Sequence, residues 1–352
     1  MNNDFDIKAW FRRKDGLLVI GGPCSVESER QLLETADGLS KIKDVKVLRG
    51  GIWKPRTRPD AFEGIGEIGL RWMREAKERY GFLTMTEVAT PEHVELALRY
   101  GIDVLWVGAR TVVNPFSVQE LANCLRGSDM PVFVKNPIAP DVRLWLGALE
   151  RMESAGLRYL GAIHRGFASF DDSRYRNEPL WEVPIELRRL RPDIPIITDI
   201  SHICGCRELL QDTAQRALDL ATDGFMVEAH HNPAEALTDS RQQLTPEAMQ
   251  DLLNHLVIRL KNANNDETKL QIFRKEIDII DDEILKLIAK RMSVSEKIGE
   301  YKKEQKVAVL QMDRWKQVLE DHINKGARLG LSAESVKDIF EIIHKESIGR
   351  QL

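Results

Sequence analysis

The sequence predicts an α/β chain, a closed TIM (β/α)8 barrel followed by an all-helical domain, on three observations. Short β-branched or apolar runs alternate with amphipathic stretches of helical period through the first two thirds of the chain. Eight such runs fall within about 245 residues, the size of one barrel. Strand signals then stop, and the remaining residues lack proline and keep helical periodicity. With 352 residues, 43 % of them apolar, the chain has room for two domains and a sizeable core.

The candidate strands begin at Leu17 (LLVIGG), Val45 (VKVLRGG), Leu83 (LTMTEV), Asp103 (DVLWVGAR), Pro131 (PVFVKN), Arg158 (RYLGAIHR), Ile194 (IPIITDI) and Asp223 (DGFMVEA). Continuous apolar runs suit a parallel sheet covered on both faces, and the absence of Gly-x-Gly-x-x-Gly argues against a dinucleotide-binding open sheet. The polar stretch Asn262 to Glu267 (NANNDE) reads as a linker between a barrel domain, 1–261, and a helical domain, 268–352. From Leu270 onward, Phe273, Ile277, Ile280, Ile284, Leu287, Val294 and Ile298 recur every three or four residues or at multiples of that spacing, which predicts one helix to about Gln305. At 1.5 Å per residue such a rod exceeds about 50 Å. Two shorter helices, near Arg314 to Lys325 and Ser332 to Ile348, cannot cover it, so a homodimer through this domain is expected.

A net charge of −4 supplies no field for nucleic acid or an anionic membrane, and basic and acidic residues balance in the tail as well. No stretch approaches about 18 apolar residues, and Met1 to Asp6 lacks the basic start of a signal peptide, so a soluble, cytoplasmic protein is expected. Cys24, Cys124, Cys204 and Cys206 are too few for a disulfide scaffold and are expected to be reduced. The first strand starts near Leu17, leaving no room for a preceding regulatory domain, so any feedback is expected to act through the tail.

A barrel places its reactive groups at the carboxyl ends of its strands. There the chain offers Cys24 after strand 1, Arg49 and Lys54 after strand 2, and Glu87, Arg110, Lys135 and Arg165 at the ends of strands 3 to 6. His202 follows strand 7, Glu228 ends strand 8, and Asp239 lies in the loop beyond. Five unpaired cations converging on one mouth would repel unless anions neutralise them, which points to a small phosphorylated acid as substrate. Cys24, His202, Glu228 and Asp239 combine a thiolate, an imidazole and two carboxylates, a mixed set suited to a catalytic divalent metal. A competing cluster, His202-Ile203-Cys204-Gly205-Cys206, has no second cysteine pair to complete it. His230 and His231 also lie near Glu228, and if the segment is extended they point opposite ways, leaving one at most for the site.

The strings GGPCSVES (Gly21 to Ser28), RGGIWKPRT (Arg49 to Thr57), TEV (Thr86 to Val88) and GAR (Gly108 to Arg110), then FVK, HRG, SH and MVE, occur in order. Over about residues 17 to 245 the chain thereby resembles the type I 3-deoxy-D-arabino-heptulosonate 7-phosphate (DAHP) synthases, in their short-chain branch. The resemblance implies a divalent metal on Cys24, His202, Glu228 and Asp239, Mn2+ first, with Fe2+, Co2+ and Zn2+ as alternatives. It implies Arg49, Lys54 and Lys135 at the phosphoenolpyruvate carboxylate, Arg110, Arg165 and Lys135 at its phosphate, and Arg56 and Thr57 at the phosphate of erythrose 4-phosphate. Lys135, or a water near Glu87, would carry the proton. The sister 3-deoxy-octulosonate 8-phosphate synthases carry an Asn-Arg-Thr-Ser type segment where this chain has Lys54-Pro55-Arg56-Thr57, which favours the four-carbon sugar. Relatives usually read Asp-Pro-Ser-His for Asp199-Ile200-Ser201-His202, and many read Lys-Arg-Gly for Lys135-Asn136-Pro137.

In the tail, Arg291 interrupts the apolar stripe and Lys302, eleven residues on, shares its face. Arg274 lies about 100° away and is expected to reach the pocket of a paired chain. Thr268 to Gln351 resembles the all-helical chorismate mutases, with Arg274, Arg291, Lys302, Asp313-Arg314, Ser347 and Gln351 on that family's motif. The resemblance implies carboxylate binding by Arg274 and Arg291, donation to the ether oxygen by Lys302 and Gln351, and further substrate contacts from Arg314 and Ser347. Stand-alone mutases commonly place carboxylates where this chain has Gln311 and Trp315, which leaves a second reading, a domain that senses chorismate or prephenate without turning it over.

Overall fold

The computed structural model describes residues 5–54, 62–169, 173–258 and 267–351. Eight parallel strands close into a barrel in sequence order: β1 (Leu18–Gly22), β2 (Val45–Arg49), β3 (Leu83–Val88), β4 (Val104–Val107), β5 (Val132–Lys135), β6 (Leu160–His164), β7 (Ile196–Asp199) and β8 (Gly224–Glu228). β8 pairs with β1 from Leu18 opposite Gly224 to Gly22 opposite Glu228, leaving no free sheet edge. The expected strands all form, each starting within two residues of its predicted position.

Helices α1 (Ile7–Arg13), α2 (Glu29–Ser40), α3 (Glu67–Tyr80), α4 (Pro91–Arg99), α5 (Ala109–Val112), α6 (Pro115–Cys124), α7 (Val142–Ser154), α8 (Glu182–Leu190), α9 (Ile200–Cys204), α10 (Leu210–Asp219) and α11 (Pro246–Asn254) accompany the barrel. Local chemistry fixes their starts: Ser28, Thr90, Asn114, Asp141 and Thr245 each accept a backbone N–H in the first turn. Such caps contribute about 1 kcal/mol apiece. Between helices and sheet lies one apolar layer, in which Leu32, Leu48, Leu105, Trp145 and Val227 are fully buried.

Period-two alternation builds a second layer inside the barrel, from Leu18, Ile20, Val47, Met85, Val104, Phe133, Ile163, Ile197 and Met226. α1, which has no counterpart among the expected elements, belongs to this inner layer. Its Trp10 and Phe11 are buried there, and the Phe11 ring centroid lies 5.2 Å from that of Phe133. Gly161 is required opposite Phe133, because a Cβ there would stand 2.3 Å from the ring.

The chain divides into two compact units, Met1–Lys261 and Asn262–Leu352. The second contains α12 (Glu267–Glu304), α13 (Met312–Arg328) and α14 (Ala333–Gln351). α12 has 38 residues, about 57 Å at 1.5 Å per residue. Its apolar stripe stays open to solvent, with Phe273 59 % and Leu287 66 % exposed. Among the described residues no helix is long and apolar enough to cross a membrane.

Candidate active site

The alternation that fills the barrel also arms its rim. Two residues after each interior apolar position the same inward direction recurs, so Val47 leads to Arg49, Met85 to Glu87, Val104 to Trp106, Phe133 to Lys135, Ile197 to Asp199 and Met226 to Glu228. Cys24 follows β1 beyond Gly22, whose φ of +147° suits glycine and whose added Cβ would lie 2.1 Å from the Arg49 carbonyl oxygen.

Cys24, Glu228 and Asp239 bring their donor atoms within 4.8 Å of one another, the one such group among the described residues. Cys24 Sγ lies 3.2 Å from Asp239 Oδ2 and receives Lys54 Nζ at 3.0 Å. His202 stands beside this trio, with Nε2 3.8 Å from Glu228 Oε1 and Nδ1 2.8 Å from Asp199 Oδ2. Burial holds the imidazole below its ordinary value, so the ring is neutral at neutral pH. Burial, then the Glu228 charge, pushes the Cys24 thiol up to about 12, against the pull of Lys54. Glu228 Oε1 is buried and accepts no hydrogen bond of good geometry from the described residues. A crowded thiol, two carboxylates and a neutral imidazole form a set that could hold a divalent cation.

The competing cysteine cluster is not assembled: Cys204 turns away to Thr213 Oγ1 at 3.1 Å, and Cys206 lies outside the trio. His230 and His231 do not point opposite ways. β8 ends at Glu228, alternation ends with it, and the two rings lie side by side with centroids 4.6 Å apart, His231 3.3 Å from Glu34.

The cations are not all unpaired, which corrects the expectation of five charges awaiting external anions. Arg49 Nη2 lies 3.3 Å from Glu228 Oε1, and Lys135 Nζ lies 2.9 Å from Asp199 Oδ2. Internal carboxylates neutralise part of the charge because burying it alone would cost too much. Arg49 nevertheless keeps Nε and Nη1 buried without a partner among the described residues. Both cations lie over the Trp106 ring, the Arg49 guanidinium 5.1 Å and Lys135 Nζ 5.6 Å from its centroid, while its Nε1 donates to Glu87 at 2.7 Å. Arg165 follows β6 and Arg110 sits exposed on α5, each just past its strand rather than on it. Burial, with Arg176 and Arg110 adding to it and Asp199 opposing, lowers Arg165 to about 10. Arg56 and Thr57 lie outside the described residues.

Several supporting residues are not legible in the sequence. Asp199 caps α9 and pairs with both Lys135 and His202. Gln242 Nε2 donates to Glu228 Oε2 at 2.7 Å, and Gln243 Oε1 accepts from the Cys24 N–H at 3.1 Å. Arg176 pairs with Asp239 at 2.9 Å, and Asn136 Oδ1 accepts from the Arg165 N–H at 2.7 Å. Asp199 carried a signal, a capping carboxylate three residues before a site histidine. The loop residues carried none.

The helical unit has its own polar cluster. Arg291 donates to Ser347 Oγ, and Lys302 Nζ donates to Gln351 Oε1 at 3.0 Å and to the Val309 carbonyl at 2.7 Å. Gly299 permits this approach, since a Cβ there would stand 2.7 Å from Gln351 Cα. Arg314 is exposed and bonded to Gln317 at 3.2 Å, and Arg274 is exposed on α12.

The DAHP synthetase I family profile matches residues 10–262, the whole barrel. The chain belongs to this family. The chorismate mutase type II profile matches residues 273–352, so the DAHP synthase barrel is joined to a chorismate mutase domain in one bifunctional enzyme of the shikimate pathway. The phospho-2-dehydro-3-deoxyheptonate aldolase of Thermotoga maritima is 34 % identical over 238 residues, 68 % of each chain. The 2-dehydro-3-deoxyphosphooctonate aldolase of Wolinella succinogenes is 25 % identical over 268 residues, 68 % of this chain and 98 % of that one. A crystal structure of the Thermotoga maritima DAHP synthase superposes with a TM-score of 0.61 at 32 % identity, covering 68 % of this chain and 67 % of the other.

Proposed function

We propose that the barrel condenses phosphoenolpyruvate with erythrose 4-phosphate, giving DAHP and phosphate, with a divalent ion, Mn2+ in our reading, held by Cys24, His202, Glu228 and Asp239. The observation that carries this reading is the pair of Arg49 donors, Nε and Nη1, that are buried without a partner among the described residues at the same rim as the Cys24, Glu228 and Asp239 donor trio. When bound, the ion supplies Lewis acidity toward the aldehyde oxygen of the sugar. Arg49 offers its two free donors to the phosphoenolpyruvate carboxylate, with Lys54 and Lys135 beside it. Arg110, Arg165 and Lys135 receive the phosphate of phosphoenolpyruvate, and Arg56 and Thr57 that of the sugar. A carbon–carbon bond forms between the methylene carbon and the aldehyde carbon, water adds at C2, and the C–O bond to phosphate breaks. Lys135, or a water held by Glu87, moves the proton. A cytoplasmic setting fits a cysteine donor that must stay reduced. Cys24→Ala and His202→Ala are expected to lose both bound metal and DAHP formation; activity that persists in either variant after chelation sinks the metal role. The higher identity to the heptonate aldolase supports the four-carbon sugar over arabinose 5-phosphate, a choice that a competition assay with both sugars decides.

We further propose that the helical region rearranges chorismate to prephenate as a homodimer. The rearrangement is pericyclic and needs no nucleophile, only a clamp on the folded conformer and a cation at the breaking ether bond. Arg291 and the partner's Arg274 would hold the carboxylates, with Arg314 and Ser347 completing the clamp, while Lys302 and Gln351 serve the ether oxygen. Lys302→Ala is expected to abolish prephenate formation while the barrel reaction continues. Feedback would arise if prephenate binds the active and inactive arrangements unequally.

A further inference from the structure

Between α13 and α14, Trp315 and His344 stack face to face, with ring centroids 3.9 Å apart and planes inclined by 8°. His344 precedes Ser347 by three residues and Gln351 by seven, so all three share one face of α14. Ser347 accepts from Arg291 and Gln351 from Lys302, which sets His344 on the same helix face as this cationic cluster. Its Nε2 is buried and has no hydrogen-bond partner among the described residues. Burial, then the charges of Arg291 and Lys302, keep the imidazole below its ordinary value, so it presents a neutral ring. A buried ring nitrogen without a partner is costly unless a ligand satisfies it.

The ligand assigned to this pocket is a ring diacid with an ether oxygen and one hydroxyl. Its carboxylates and ether oxygen call for cations, which Arg291 and Lys302 provide. Its hydroxyl is neutral and both donates and accepts, the complement of a neutral imidazole nitrogen in either tautomer. We propose that His344, oriented by Trp315, binds the ring hydroxyl of the mutase ligand through Nε2. This assignment rests on reading the helical region as a chorismate site.

The test uses the full chain and two ligands, chorismate and a ring diacid analogue without the hydroxyl. His344→Phe keeps an aromatic ring against Trp315 and removes only the nitrogens. It is expected to lower kcat/KM for chorismate by about 10- to 100-fold while leaving the affinity for the analogue unchanged. His344→Gln, which restores a donor and an acceptor, is expected to recover most of the loss, and Trp315→Ala to weaken chorismate selectively. Equal losses for both ligands, or none for either, would overturn the proposal in favour of a packing role. If the phenylalanine variant melts early, His344→Leu carries the same comparison. A wild-type chain that neither binds nor converts chorismate would remove the mutase reading itself, an outcome distinct from variants that fail to discriminate.

Discussion

Asp199 shows how much of the rim hangs on one side chain. One oxygen caps α9 through the His202 N–H, and the other meets both Lys135 Nζ and His202 Nδ1. A carboxylate behind a ligating histidine fixes ring orientation, and losing it typically costs about 10- to 100-fold in metal affinity. Asp199→Asn should weaken metal binding by that order, measured by titration into apoprotein. His164 makes a different prediction. Burial lowers it to about 4, with Nε2 2.6 Å from the Pro179 carbonyl. The unfolded chain takes up this proton near pH 6.5 and the folded chain only near 4, so stability falls as pH drops through that window and levels below it. The loss is on the order of 3 kcal/mol. Urea midpoints at pH 7, 5.5 and 4.5 should fall less steeply in His164→Gln than in wild type. At this scale the sequence exposed the charged residues because strand ends are predictable. It hid their pairings, since Lys135 with Asp199 and Arg49 with Glu228 join strands far apart in the chain.

The strands were legible because a buried parallel strand is a short apolar run ended by glycine, proline or charge, and Leu83–Val88 and Gly224–Glu228 are of that kind. α1 was not legible: seven residues with Trp10 and Phe11 are too short for periodicity to separate them from a loop, and only the open barrel interior gives them a place. The α12 and α14 pairing depends on Gly299, where a methyl group would meet the Gln351 backbone. Gly299→Ala should therefore separate Lys302 from Gln351, lowering prephenate formation and helical-unit stability by about 1–3 kcal/mol despite alanine's higher helix propensity. Thermal melts that rise instead would show that the helices can shift without loss.

Across the whole molecule, two compact units carry two chemistries, and each builds its polar cluster from its own residues. The α12 stripe, with Ile280, Ile284 and Leu287 each about half exposed or more, is too apolar to remain in water, and full burial of each such side chain is worth about 1.5–3 kcal/mol. On the proposed homodimer, Leu287→Glu should shift sedimentation toward the monomer and reduce prephenate formation, because it removes the contact through which a second copy would bring its Arg274. A chain ended at Lys261 should keep DAHP formation and lose any response to prephenate. Each unit also carries an indole against its charged cluster: Trp106 lies within 6 Å of both Arg49 and Lys135, and Trp315 stacks on His344. Emission from these two fluorophores responds to local electric fields, so phosphoenolpyruvate should perturb the first and chorismate the second. Trp106→Phe and Trp315→Phe difference spectra would then report occupancy of either site optically, with no attached dye.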